Sequence, residues 1–104
     1  MAQRFQIIFD EVMLNQLKKL GKNQELRDRI SKMLDKIEEL GPRAGKPLDL
    51  RLNIYEIKGK RPSIRLYFKH VKNTNQIYVF EYEMKTSATR QRKTIGKLKE
   101  KSET

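Results

Sequence analysis

The sequence lacks most of the residues on which familiar catalytic and cross-linking sites depend. It contains no cysteine and one histidine among 104 residues. Without thiols there is neither a disulfide framework nor a thiolate metal site, and one histidine would leave a zinc site dependent on unusual carboxylate ligands. There is also no glycine-rich phosphate loop and no His-Glu metal pair. These absences argue against redox enzymes, zinc enzymes and standard hydrolases, and we expect no metal and no cofactor.

Long apolar runs are absent as well. No stretch approaches the roughly 20 apolar residues of a membrane span, and the short apolar run near the N-terminus is followed at once by acidic residues. We therefore expect a soluble, cytoplasmic protein without membrane contact. The length has room for one modest core, so we expect a single domain over residues 1–104, with a flexible tail at about 100–104.

Charge is what the sequence has in excess. Its 24 lysines and arginines outnumber 13 acidic residues, which gives a net charge of +11. The excess is one-sided, because residues 1–48 carry a net +3 and residues 49–104 a net +8. Many lysines can simply keep a protein soluble or suit a thermophile, but neither reason explains an asymmetry. The pattern favours a polyanionic partner, and nucleic acid above all.

The first half of the chain predicts a strand and two helices. Residues 3–9 are rich in β-branched and aromatic side chains, and Asp10 is suited to cap a helix over 11–20. Asn23 is suited to cap a longer helix whose apolar residues line one face until Gly41. The short link predicts an antiparallel helical hairpin. Its polar face alternates in sign, which is typical of a solvated surface.

The second half predicts a sheet. Residues 41–49 hold two prolines and two glycines and predict a loop. Strand-like runs follow at about 51–58, 63–70 and 76–83, and weak helical spacing over 87–101 predicts a helix in part only. The expected fold is therefore α+β: an N-terminal strand, a two-helix hairpin, a three-stranded antiparallel meander and a C-terminal helical segment. The last strand has apolar residues on both faces and should be an interior strand.

Alternation along the strands separates a core face from a basic, aromatic face. In the middle run Ile64, Leu66 and Phe68 alternate with Arg65, Tyr67 and Lys69. We expect a row of polar and aromatic groups on two adjacent strands, with two cations joining it from beyond the third. The candidate residues are Tyr55, Glu56, Lys58, Arg65, Tyr67, Lys69, Lys85 and Arg90.

Cations and phenols suit the cleavage of RNA by its own 2′-hydroxyl, because the substrate supplies the nucleophile and the transition state gains negative charge. Arg65 would clamp the phosphorane with its planar fork, and Lys58, crowded by cations, would accept the 2′-hydroxyl proton. Lys85 or Arg90 would stabilise the leaving 5′-oxygen. Glu56 is open between an ion-pair partner and a base.

The remaining candidates have plainer alternatives. Tyr67 could stack on a base or fill the sheet surface, and Tyr82 is better placed in the core than in the site. His70 is expected to be structural. We expect non-specific binding of the RNA backbone by further cations, with Tyr55 and Lys69 beside them on the RNA-binding face. These cations are Arg51, Arg90, Arg92 and Lys93.

The run Tyr55-Glu56-Ile57-Lys58, followed seven positions after its lysine by Arg65-Leu66-Tyr67, resembles the core of the RelE-like messenger RNA interferases of the RelE/ParE superfamily. Glu56 and the pair Lys85-Thr86 are similar to the HigB branch. The resemblance implies a ribosome-dependent toxin in which the positions of Lys58 and Arg65 cut mRNA in the ribosomal A site. It also implies neutralisation by a cognate antitoxin protein.

One departure from that pattern bears on the chemistry. RelE has a tyrosine in its C-terminal segment, where this sequence has lysine or arginine, so the general acid is unassigned. Two alternatives share the fold: a ParE-type toxin that binds DNA gyrase and cuts nothing, and an inactive, basic RNA-binding relative. Lys58 and Arg65 argue against the first alternative, and the missing tyrosine keeps the second open.

Overall fold

The computed structural model describes residues 4–84 and 87–103, which form helices around one sheet. The helices are α1 Glu11–Lys19, α2 Gln24–Leu40 and α3 Ala88–Glu103, with a 3-10 helix at Gly41–Ala44. The strands are β1 Gln6–Phe9, β2 Lys46–Asp49, β3 Ile54–Gly59, β4 Ile64–His70 and β5 Gln76–Met84. Over those residues, no helix combines the length and the apolar character needed to cross a membrane. The predicted α+β class is confirmed.

The strands form a single sheet in the order β1-β5-β4-β3-β2. β3, β4 and β5 form the predicted antiparallel meander, and β1 adds to β5 in parallel. The parallel contact is possible because the helical hairpin carries the chain across the sheet between β1 and β2. β5 has a neighbour on each side, as its apolar residues on both faces predicted.

Each face of the sheet has its own apolar cluster. The α1–α2 hairpin packs on one face, where Met13, Ile30 and Ile37 meet Leu66 and Phe68 of β4. Helix α3 packs on the other face, where a smaller cluster holds Ile54, Tyr67, Phe80 and Leu98. The face that the sequence assigned to RNA is therefore covered in part by α3.

Both helix starts follow the predicted capping. The side chain of Asp10 accepts a hydrogen bond of 2.9 Å from the backbone N–H of Val12, and Asn23 accepts one of 3.2 Å from Leu26. Helix α2 ends at Gly41, which has a φ of +62°. An added Cβ there would also lie 2.4 Å from the ring of Phe5, so glycine is required on both grounds.

The loop predicted over residues 41–49 is wrong in part. Residues 41–44 form the 3-10 helix, and β2 then pairs with β3 as the outermost strand of the sheet. Pro47 misled the prediction, but an edge strand tolerates proline because one of its sides needs no N–H donor. Gly45 permits the close approach, since an added Cβ would lie 2.4 Å from the carbonyl oxygen of Glu56.

The C-terminal segment is helical throughout its described part, where we expected a partial helix and a tail. Helix α3 includes residues 100–103. Its weak periodicity is compensated by tertiary contacts, because Leu98 is fully buried and Lys101 lies 3.2 Å from Asp10. Arg51 also pairs with Glu103 at 2.7 Å.

A β-bulge in β5 redirects its side chains. Tyr67 pairs with Glu81, and the register shifts directly after this pair, which leaves Phe80 as an extra residue. Beyond the bulge, Glu81 and Glu83 lie on the α3 face, and Tyr82 packs against the cluster under the hairpin. Strict alternation would have placed the two glutamates on the hairpin face.

Past the end of β1, a side chain takes the place of a neighbouring strand beside β5. The amide group of Gln16 on α1 donates to the carbonyl oxygen of Tyr82 at 2.8 Å. It also accepts from the N–H of the same residue at 2.9 Å. These two bonds satisfy both backbone groups of Tyr82 on the side where no strand follows.

Candidate active site

Lys58 and Arg65 lie opposite each other on adjacent strands. They are cross-strand partners in the β3–β4 register and point to the α3 face. The turn between them is short, so their spacing of seven residues in the sequence becomes a direct juxtaposition. The expectation that Arg65 lies close to Lys58 across the turn is confirmed.

A buried carboxylate lies between the two cations. Glu56 is 3% exposed, and its two oxygens lie 3.8 Å from Lys58 Nζ and 3.7 Å from the Arg65 guanidinium. Glu56 Oε2 also accepts a hydrogen bond of 3.0 Å from Gln91 Nε2 on α3. An ionised carboxylate is tolerated at such burial only when opposite charge and donors surround it. Glu56 therefore acts here as the common partner of both cations.

The two cations keep donors for a ligand. The ion-pair distances exceed hydrogen-bond length, and within the described residues the Arg65 guanidinium makes no hydrogen bond. Its side chain is 27% exposed and that of Lys58 is 56% exposed. Both can therefore meet an anion that approaches beside α3, while Glu56 restricts where they point.

A second carboxylate, Glu83, lies across from Arg65 and was not among the predicted site residues. Its Oε1 accepts a hydrogen bond of 2.9 Å from the hydroxyl of Tyr67, and its Oε2 accepts one from the hydroxyl of Thr94. Burial and this hydrogen bond to Glu83 raise the pKa of Tyr67. Gln91 and Thr94, which lie three residues apart on the same face of α3, thus each donate a hydrogen bond to one of the two carboxylates.

A sequence signal for these contacts existed. Gln91 and Thr94 precede Ile95 and Leu98 at helical spacing, so they extend the apolar face of α3 that packs on the sheet. Polar residues in line with such a stripe are expected to meet polar groups of the surface below. Glu83 gave no comparable signal, because its orientation depends on the bulge in β5.

Glu81 adds a third acid to this face of the sheet. It is 8% exposed, and its Oε1 has no hydrogen-bond partner among the described residues. Burial raises the pKa of Glu81. Three of the six acids of the basic half, Glu56, Glu81 and Glu83, thus lie on the same face of the sheet as Arg65. Over the described residues, no group of three histidine or acidic side chains is arranged to hold a metal ion.

Two predicted aromatic contacts do not fit the structure. Tyr67 is fully buried under α3, so its ring has no face open to a base. Tyr55 lies on the opposite face from Lys58, stacked on Phe68 with a ring separation of 5.6 Å. Alternation from the buried Ile54 on the α3 side already places Tyr55 on the hairpin side. Tyr82 occupies the core position that the sequence favoured, and burial raises its pKa.

The other predicted cations lie around the site or away from it. Lys69 is on the same face as Arg65 but lines a separate cavity of about 400 Å³ near the C-terminal end of α3. Arg51 pairs with Glu103 at an exposed position. His70 hydrogen-bonds the carbonyl oxygen of Thr74 at 2.8 Å, which agrees with a structural role. Three cations of the first turns of α3 are exposed, and Lys85 lies outside the described residues. Those three are Arg90, Arg92 and Lys93.

Comparison with solved structures identifies the fold. Isolated E. coli RelE toxin superposes with a TM-score of 0.64 at 20% identity, over 90% of this chain and 98% of its own. The toxin–antitoxin complex RelBE2 from Mycobacterium tuberculosis gives 0.64 at 16% identity, over 84% and 98%.

This chain has the fold of the RelE toxins. The intact E. coli RelBE toxin–antitoxin complex agrees, with a TM-score of 0.63 at 23% identity over 80% of this chain and 99% of the matched chain. No family model and no curated protein matches the sequence. The expected resemblance to RelE is thus confirmed at the level of the fold.

Proposed function

We propose that the protein is a ribosome-dependent mRNA endonuclease and the toxin of a toxin–antitoxin pair. The observation that carries the proposal is the juxtaposition of Lys58 and Arg65 on a RelE-like sheet, with Glu56 between them. The net charge of +11 supports a polyanionic substrate. The antitoxin is proposed because solved structures with this fold include toxin–antitoxin complexes.

The proposed reaction needs no group beyond the RNA and the protein. The 2′-hydroxyl attacks the adjacent phosphorus, a new P–O2′ bond forms, and the P–O5′ bond breaks. The products are a 2′,3′-cyclic phosphate and a free 5′-hydroxyl. Lys58 in its neutral amine form accepts the 2′-hydroxyl proton and so becomes the cation that Glu56 partners, and Arg65 binds two oxygens of the phosphorane.

The remaining groups support these two. Glu56 orients both cations, and Gln91 fixes Glu56 from α3. Arg90, at the exposed start of α3, or Lys85 stabilises the leaving oxygen. That oxygen then takes up a proton from water, and Lys58 returns the proton that it accepted to solvent. Arg92 and Lys93 contact the RNA backbone, since exposed cations bind phosphates without a demand for geometry.

Primer extension on mRNA in a purified translation system tests this proposal. The parent protein should give cuts at defined codon positions when ribosomes occupy the message and none on naked mRNA. Arg65→Ala should reduce the cuts by at least about 100-fold, because removal of one transition-state donor has an effect of that order. Arg27→Ala is the matched control, since Arg27 is an exposed arginine of α2, which packs on the opposite face of the sheet from Arg65, and its guanidinium donates to the carbonyl oxygen of Gly21.

Two results would contradict the proposed function, and a third would contradict the proposed site. Intact mRNA together with inhibited supercoiling by DNA gyrase would favour a ParE-type toxin. Intact mRNA and unaffected gyrase would favour an inactive RNA-binding relative. Cuts that persist in Arg65→Ala would leave the activity standing and remove Arg65 from its site.

A further inference from the structure

A basic cavity lies beside the Lys58–Arg65 pair at the open end of β3. Its volume is about 270 Å³. Its walls come from α2, from the segment that leads into β2, and from β3. The lining residues are Lys36, Ala44, Gly45, Lys46, Glu56, Ile57 and Lys58.

The cavity exists because β2 is shorter than β3. β2 begins at Lys46, opposite Glu56 in the register, so no strand among the described residues pairs with the outer side of residues 57–59 of β3. An edge without a neighbour presents unpaired backbone groups. Gly45 brings the incoming chain against β3, since even a methyl group there would meet the Glu56 carbonyl. The cavity thus follows from the length of β2 and from the close packing of Gly45 against β3.

Three lysines from three different elements surround this cavity. Lys36 comes from α2, Lys46 from β2 and Lys58 from β3. Glu56 is the acid in the lining, and it is already shared by Lys58, Arg65 and Gln91. Among the described residues, neither Lys36 nor Lys46 has an ion-pair partner, so both charges are available to a ligand.

The cavity is continuous with the proposed cleavage site. In the strand register, Lys46 lies opposite Glu56 on β3, and Lys58 of β3 lies opposite Arg65 on β4. Glu56 and Lys58 are two residues apart on the same strand, so their side chains point to the same face. Two strand spacings and a two-residue offset separate the Cα atoms of Lys46 and Arg65 by roughly 12 Å. That distance corresponds to about three or four nucleotides at the rise of a stacked strand.

We propose that Lys36 and Lys46 form a phosphate subsite for the same RNA strand, a few nucleotides from the phosphate that Lys58 and Arg65 engage. This inference rests on the proposed function. Lysine suits the task because its compact charge binds phosphate without the planar match that arginine requires. An RNA strand is favoured over an isolated anion because Lys58 lines the cavity and is also the cross-strand partner of Arg65.

The test is binding of RNA that cannot be cut. Oligonucleotides with 2′-O-methyl groups, of about 12 and of about 3 nucleotides, are titrated by fluorescence anisotropy across a salt series. The variant is Lys36→Ala/Lys46→Ala. The control is Lys18→Ala/Lys19→Ala, which removes two exposed lysines from α1 and changes the net charge equally.

Loss of two phosphate contacts on a single strand lowers the salt slope by about 1.4. We expect this decrease in slope, together with weaker binding at low salt, when the subsite variant binds the longer RNA. The control variant should not show it with either RNA, and the subsite variant should not show it with the shorter RNA. Equal slopes for the subsite and control variants would overturn the inference, as would an equal decrease for both RNA lengths or no binding of the longer RNA.

The two proposals fail separately. A changed slope in a protein that leaves mRNA intact on ribosomes would keep the phosphate subsite and remove the nuclease. Codon-linked cleavage with matching slopes for the subsite and control variants would keep the nuclease and remove the subsite.

Discussion

Lys58 and Arg65 carry the same charge, but only lysine can release and accept a proton at accessible pH. Lys58→Arg keeps the charge next to Glu56 and removes the base. We therefore expect Lys58→Arg to lose as much single-turnover cleavage as Lys58→Ala, at least about 100-fold, while RNA affinity is kept. Rapid-quench cleavage of ribosome-bound mRNA measures the effect. Cleavage by Lys58→Arg near the parent rate would assign Lys58 a charge role only.

Tyr67 offers a second test on a single side chain. Because its hydroxyl donates to Glu83 beneath α3, Tyr67→Phe should lower the free energy of unfolding by about 1–2 kcal/mol. Tyr55→Phe is the matched control, since the Tyr55 hydroxyl makes no hydrogen bond within the described residues. Urea unfolding gives both values. RNA affinity should change in neither variant, and a loss in Tyr67→Phe alone would mean that the Tyr67 hydroxyl contacts RNA.

Sequence reasoning located Lys58 and Arg65 because their positions depend only on strand alternation and a short turn. It failed for Tyr67, because the cover provided by α3 depends on tertiary packing that weak helical spacing did not reveal. It missed Glu83 because one extra residue in β5 reverses the faces beyond it. Local patterns thus found the two cations and Glu56, but not the second carboxylate, Glu83, on the same face.

Among the secondary-structure elements, β2 and α3 offer a matched pair of glycines. Gly45→Ala should destabilise the protein by about 1–3 kcal/mol, because its methyl group would meet both the Glu56 carbonyl and the ring of Phe68. Gly96→Ala lies inside α3 with open space around the added methyl group, and should stabilise by about 0.5–1 kcal/mol.

Thermal unfolding followed by circular dichroism compares the two variants. Opposite shifts in Tm are expected. If Gly45→Ala raised Tm as much as Gly96→Ala does, the contact of the added methyl group at Gly45 would not be destabilising. The same experiment reports on the elements that sequence reasoning described least well. Proline and glycine content concealed β2, and scattered apolar residues concealed the length of α3, because both elements form through contacts with the rest of the fold.

For the protein as a whole, one carboxylate joins elements from both ends of the chain. Asp10 caps α1, accepts a hydrogen bond from the hydroxyl of Tyr78 on β5, and pairs with Lys101 on α3. Burial opposes the charge of Asp10, but the bonds from Tyr78, Val12 and Lys101 lower its pKa. The bond to Asp10, together with burial, raises the pKa of Tyr78 to about 12.

These shifts set the pH dependence of global stability. Between about pH 10 and pH 12 the folded Tyr78 retains a proton that the unfolded chain has lost, so stability should fall as pH rises through this window. At the acidic end, stability from Asp10 is present above its unfolded pKa and should be lost as pH falls through the lower folded value.

Unfolding at a series of pH values measures both ends. Asp10→Asn keeps a cap for α1 but carries no charge, so it should flatten the acidic dependence and weaken the alkaline one. Tyr67 and Tyr82, whose pKa values are also raised, should maintain part of the alkaline dependence. An unchanged profile in Asp10→Asn would mean that Asp10 does not govern Tyr78.

Composition predicted the net charge of the chain and the half that carries most of it, but not how the charge is distributed on the folded surface. Acids from the basic half lie on the same face as Arg65. The two lysines of the proposed phosphate subsite, which have no ion-pair partner among the described residues, include Lys36 from the less basic half. A charge count along the sequence therefore indicated the class of partner, and only the fold indicated where that partner could bind.

The side chain of Gln16 has a consequence for how copies of this protein behave at high concentration. An uncovered strand edge is a template on which a second chain can add by backbone pairing, which leads to aggregation. By bonding both backbone groups of Tyr82, Gln16 occupies that template where β1 stops, although it belongs to a helix. One glutamine thus covers part of the β5 edge that the four-residue strand β1 leaves open.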